Sequence, residues 1–211
     1  MENVVMILKN IKTLCATALL LCANASATLI TFETRGLDHD APNHGIDNTD
    51  FMASWNAQLS AITSTELLDF TRVQSGNDSF SHVQIDLNID RANTNWIFEL
   101  GLDAGFGAAV YLDGQLVQSR TDDLWWGYNW NNSDVFTVAL NDLTRANKVV
   151  DIFWAEHCCN GASSIRFKND ANQWNNLNVA SLNAASIPEP TSVALIALGL
   201  LGFASRKQFK K

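Results

Sequence analysis

Basic residues are scarce in this chain. Of 211 residues, 14 are Lys or Arg against 22 Asp or Glu, a formal net charge of −8. That balance repels nucleic acid and anionic membrane surfaces, so neither is expected as a partner. Catalytic spacings are missing too. The four histidines, His39, His44, His82 and His157, show no His-Glu-x-x-His arrangement of a zinc hydrolase. No segment repeats, and no long helical period runs between the two ends. Long apolar runs are confined to those ends, and neither reaches the roughly 20 residues a helix needs to cross a bilayer.

Both ends nevertheless read as addresses. Lys9 and Lys12 precede an apolar run from Leu14 to Ala23, followed by Ala25-Ser26-Ala27. A basic start, a short apolar core and a small-residue cleavage site make a secretory signal peptide over residues 1–27. Leu21 before Cys22 is too large for a lipid-attachment site. At the other end, Ile187-Pro188-Glu189-Pro190 gives an extended hinge, because each proline fixes φ and restrains the residue before it. An uncharged run from Val193 to Ala204 follows, then Arg206, Lys207, Lys210 and Lys211. Nothing polar breaks that run, so an amphipathic helix is not expected.

The order Pro188-Glu189-Pro190, apolar segment, basic cluster resembles the PEP-CTERM sorting signal of Gram-negative bacteria. The resemblance implies a tail at residues 187–211 whose apolar part inserts transiently into the membrane. It also implies recognition by an exosortase-type membrane protease, after signal peptidase has acted at the start of the chain. Display at the cell surface or release outside the cell would follow, with the tail removed as in other processed hydrophobic tails.

Residues 28–186 are then one domain, long enough for a real core. Without the two signals the domain keeps eight basic and twenty acidic residues, a net charge of −12. Cys15 and Cys22 leave with the signal, so only the adjacent Cys158 and Cys159 remain. In an oxidising compartment a vicinal disulfide between them is the leading expectation, with free thiols, intermolecular bonds or a metal site as alternatives.

Along the domain, Thr28 to Thr34 alternates as a first strand. Asp38 to Asp50 holds four Asp and two His in loop composition, without the register of a calcium loop. Phe51 to Leu59 is a short helix or a strand, and Leu67 to Val73 reads as a strand. His82 to Asp90 alternates polar and apolar throughout, and Arg91 to Asn95 turns into a strand over Trp96 to Asp103. Asp113-Gly114 between two β-rich runs signals a tight hairpin. Asp134–Leu140 and Lys148–Glu156 are further strands. His157 to Gly161 is read as a turn that returns Ser163–Lys168 antiparallel to the strand before it. The class is all-β: an antiparallel β-sandwich or jelly roll, with a signal helix before it and a sorting helix after it.

From Trp96 to Lys168 the order of these segments resembles PA14 and related jelly-roll adhesion modules, and Cys158-Cys159-Asn160-Gly161 resembles the turn of a Cys-Cys-x-Gly group of PEP-CTERM proteins. The PA14 resemblance implies glycan binding, in some members through calcium held by paired aspartates. Here Asp103 is followed by Ala104, so Asp103 alone is carried over as a metal ligand.

Independently of any resemblance, Asp122, Asp123, Trp125, Trp126, Tyr128 and Trp130 crowd one stretch. Sugars present apolar faces to aromatic rings and hydroxyls to carboxylates, so this is the candidate site for an extracellular polysaccharide. Burial of the same tryptophans as a plug at the end of the sandwich is the competing reading. No catalytic residue is assigned. Glu156-His157 beside Cys158 is the only local group with that character, and an exported thiol does not stay reduced. The expectation is a non-enzymatic, exported surface or matrix protein. Its rivals are a matrix protein without a ligand site and a hydrolase built from two distant carboxylates.

Overall fold

The computed structural model describes residues 28–89, 94–159, 161–170 and 173–186. The expected signal segment, most of the turn at 91–95 and the sorting tail from residue 187 on, with the helices expected at both ends, lie outside the described residues. The strands are β1 (Ile30–Gly36), β2 (Thr63–Glu66), β3 (Val73–Gln74), β4 (Ser79–Ile89), β5 (Thr94–Gly101), β6 (Asp103–Ala104), β7 (Ala108–Leu112), β8 (Gln115–Arg120), β9 (Leu124–Trp125), β10 (Phe136–Leu143), β11 (Ala146–Glu156), β12 (Ala162–Lys168) and β13 (Asn175–Asn176). Among the described residues, two α-helices, α1 (Phe51–Ala57) and α2 (Val179–Ser186), and a 3-10 turn at Pro42–Gly45 join them.

Two antiparallel sheets face each other. One has the order β2-β1-β4-β11-β7-β8, the other β10-β5-β12-β13 with β3 also paired to β12. Alternation drives the arrangement. In β4, Val83, Ile85, Leu87 and Ile89 are buried while Gln84, Asp86 and Asn88 are half-exposed, as a strand with one dry face requires. That face, continued by Val150, Ile152 and Trp154 of β11, meets Phe98 and Leu100 of β5, Phe136 and Val138 of β10, and Ile165 and Phe167 of β12. Each such side chain contributes about 1.5–3 kcal/mol by leaving water. The opposite register of β11 carries Phe153 and Ala155, which pack with Phe80, Tyr111, and Phe51 and Trp55 of α1. Asp50 caps α1 by accepting from the Ala53 N–H at 2.9 Å.

The Asp113-Gly114 hairpin forms as its sequence demands. Leu112 pairs with Gln115, and φ is 50° and 77° at the two turn residues, the left-handed pair of a two-residue turn. Two segments differ from the reading of the sequence. Residues Leu67 to Arg72 do not form a strand. Their backbone instead engages the segment before α2, with Phe70 N–H donating to Leu177 O at 2.8 Å. This lets the Phe70 ring pack edge-on against Phe32 and Trp154 in the core. Nor do β11 and β12 form a hairpin. β11 pairs with β4 and β7, β12 with β5, so residues 157–161 carry the chain from one sheet to the other. Both strands have apolar inward faces, and in the two facing sheets each turns that face into the shared core.

Candidate functional site: a carboxylate groove at the sheet crossing

The sheet crossing is built from the end of β11. Alternation puts Glu156 in register with Val150, Ile152 and Trp154, so the strand delivers a carboxylate to the end of the dry interior. Glu156 is buried and both its oxygens are used. Oε2 accepts from the Gly105 N–H at 2.8 Å and Oε1 from the Cys158 N–H at 2.7 Å. Its role is to tie the β6–β7 loop to the crossing. Cys158 and Cys159 are bonded to each other, with Cα atoms 3.7 Å apart and Cys159 at φ 65°.

Asp103 enters from the facing side on the short ladder β6–β9, where it pairs with Trp125. Its Oδ2 accepts the Gly161 N–H. Only 8% of Asp103 is exposed. Burial, with the charges of Glu156 and Asp123 adding to it, pushes its pKa up to about 6, against the opposing pull of the Gly161 N–H. Gly161 is required by closeness. A Cβ there would stand 2.6 Å from Asp103 Oδ2 and would overlap the Trp125 ring.

Between these groups lies a groove of about 580 Å³, lined by Asp103, Gly105, Phe106, Asp123, Trp125, Glu156, His157, Cys158 and Cys159. Its volume falls in the range of small-ligand sites. Its lining combines carboxylates, an exposed indole ring, a phenyl ring and the disulfide.

The aromatic stretch is divided by the fold. Trp125 is 43% exposed and lines the groove with Asp123. Trp126, the next residue, is buried, and its Nε1–H donates to Ala162 O at 2.9 Å. Trp130 is half-buried, 4.8 Å from Trp126, under the Arg166 guanidinium at 4.4 Å. Tyr128 is exposed, yet its hydroxyl accepts the Ala162 N–H at 3.3 Å and Arg72 lies over its ring at 4.7 Å. Asp122 turns away to Arg120, whose guanidinium hydrogen bond holds its carboxyl below the usual range. Thus Trp125, Asp123, Asp103, Cys158 and Cys159 come together at the groove, while Trp126, Trp130 and Asp122 serve other contacts. Gly105 and Phe106 were not among the sequence candidates. The signal for Glu156 was present, as an acid at an apolar register position of β11.

Comparison with solved structures finds chains similar in layout. The PA14 sugar-binding domain of an RTX adhesin is 12% identical, with 74% of this chain and 97% of that one covered and a TM-score of 0.46. The PA14 domain of the antifreeze protein MpAFP is 12% identical, with 75% and 92% covered and a TM-score of 0.47. The A domain of epithelial adhesin 9 from Candida glabrata, solved with Galβ1-3GlcNAc, is 5% identical, with 72% and 88% covered and a TM-score of 0.47. No curated protein sequence matches the chain. Residues 186–208, which hold Pro188, Glu189, Pro190, Arg206 and Lys207, match the family model of the PEP-CTERM protein-sorting motif, the tail that marks a protein for export and exosortase-type processing.

Proposed function

We propose that this is an exported surface or matrix protein whose β-sandwich binds a glycan, without catalysis, in the groove at the sheet crossing. The observation that carries the reading is the exposed Trp125 ring lining a groove of ligand size together with Asp103, Asp123 and Glu156. An indole face accepts the C–H face of a pyranose, and Asp123 and Asp103 accept its hydroxyls. Phe106 and the disulfide add apolar lining. Glu156 does not supply acid–base chemistry, because both of its oxygens are bound to backbone N–H groups. If calcium assists, Asp103 is the ligand on this chain through which it acts. A glycan array probed with the purified protein, with and without Ca²⁺, tests the proposal. Binding of a defined sugar class that Trp125→Ala abolishes is the expected result. An empty array under both conditions would leave a matrix protein without a ligand site.

The signal-like start and the sorting motif together motivate a mature form that begins at Thr28 and has lost the apolar tail. Intact mass of the extracellular protein checks this. The expected species lacks Val193 to Lys211, and a secreted species that retains them would refute the processing.

A further inference from the structure

Beside the groove the fold gathers three of the four histidines. We propose that His39, His44 and His157 form a binding site for a divalent transition-metal ion of the zinc class, separate from the glycan reading and not resting on it. One ligand nitrogen from each lies within 4.8 Å of the others. The rings are 5.1 Å apart for His39 and His44, 4.5 Å for His44 and His157, and 6.2 Å for His39 and His157. Around a tetrahedral zinc ion, with Zn–N of about 2.0 Å, ligand nitrogens stand about 3.3 Å apart. Closing to that spacing needs rotations of His39 and His157, both of which are exposed.

Three further observations fit a metal site. His157 Nδ1 is 2.8 Å from the Asp78 carboxylate, and the Asp78 N–H donates to His157 O at 3.2 Å. The carboxylate contact meets an ion-pair distance without hydrogen-bond geometry, Asp78 Oδ1 having no hydrogen-bond partner, and a turn of the His157 ring would let this carboxylate orient the imidazole for a metal. His44 Nδ1 is buried without a hydrogen-bond partner, an unsatisfied group of the kind a bound ion accounts for. The chain also bends to bring His44 there. Asn43 and His44 both hold left-handed backbone, at φ 51° and 55°, a conformation that is disfavoured for His and that collects at ligand sites. Gln58 fixes that bend by donating from Nε2 to His44 O at 3.0 Å. Phe106 lies 5.6 Å from His44 and 6.3 Å from His157, giving the cluster one apolar wall. Three imidazoles select zinc, copper or nickel over calcium and magnesium, which require oxygen ligands. The three side chains leave a fourth position open to water or to a ligand in the adjoining groove.

Calorimetric titration of the untagged protein with ZnCl₂, and separately with CaCl₂, tests the site. One zinc per chain is expected, with no competition from calcium. His39→Ala and His157→Ala should each weaken zinc by about 100-fold or more. Asp78→Asn should weaken it by about 10-fold, as loss of a partner one step removed from the metal does. Both histidine changes are on exposed loop residues, and circular dichroism checks that each variant is folded. X-ray absorption of the loaded protein should show imidazole scattering from three ligands. Absence of zinc binding would overturn the proposal, as would unchanged affinity in a folded His39→Ala/His157→Ala variant. Neither result touches the glycan array, which is run without zinc.

Discussion

Trp125 and Trp126 are neighbours in the chain and opposites in the fold. Trp125 stands over an open groove, whereas Trp126 turns inward and donates to Ala162 O from a buried position. The short ladder β6–β9 causes the split. Trp125 pairs with Asp103, and strand alternation then sends the next side chain to the other face. One aromatic stretch therefore holds a candidate ligand surface and a structural plug, and composition alone cannot divide them.

The division has consequences of graded size. Trp126→Ala should have the largest effect. Deleting a buried indole and its hydrogen bond should cost about 3–5 kcal/mol, seen as a large fall in melting temperature. A loss of less than 1 kcal/mol would show that Trp126 is not part of the core.

Asp103, the partner of Trp125 across the ladder, should give the next effect, and it depends on pH. Its folded-state pKa is raised from 3.8 to about 6. Between those values the folded protein holds the proton more tightly than the unfolded chain does. Stability therefore falls as pH rises through 6, and the penalty is fully present at pH 7.5 and absent below about pH 4, with a size on the order of 2 kcal/mol. Asp103→Asn keeps an oxygen for the Gly161 N–H and removes the charge. It should raise the melting temperature at pH 7.5 and flatten the profile between pH 4 and 7. Parallel wild-type and variant profiles would contradict this account.

Trp130 should fall between the two tryptophans. Its ring lies against Trp126 and under Arg166, which is also paired to Glu99 at 2.5 Å. Trp130→Ala should cost about 1 kcal/mol, the scale of a cation–π contact, as measured by urea unfolding. The smallest effect on stability belongs to Trp125. Trp125→Ala should stay within about ±0.5 kcal/mol in the same assay. It should still weaken glycan binding by about tenfold or more if the ring is an anchor. Equal destabilisation by Trp125→Ala and Trp126→Ala would erase the distinction between them.

Much of the sandwich is legible without coordinates, because its signals are local. The alternation of His82 to Ile89 and the Asp113-Gly114 turn each fix structure within a few residues. Leu67 to Arg72 resists that reading. Its apolar content suggests a strand, but Phe70 is held in the core by its N–H donating to Leu177 O and its carbonyl accepting from the Ile165 N–H, both far along the chain. The edge strand Thr63–Glu66 is exposed throughout, so it has no apolar alternation to reveal it.

The sequence by itself determined the export motif, the all-β class and the adjacency of the two cysteines, since each is written in consecutive residues. Only the tertiary structure decided that residues 157–161 cross between sheets, that Asp103 meets Gly161, and that His157 joins His39 and His44. Those contacts are set by how two sheets stack to bury their apolar faces, a property of the whole chain that no local spacing records.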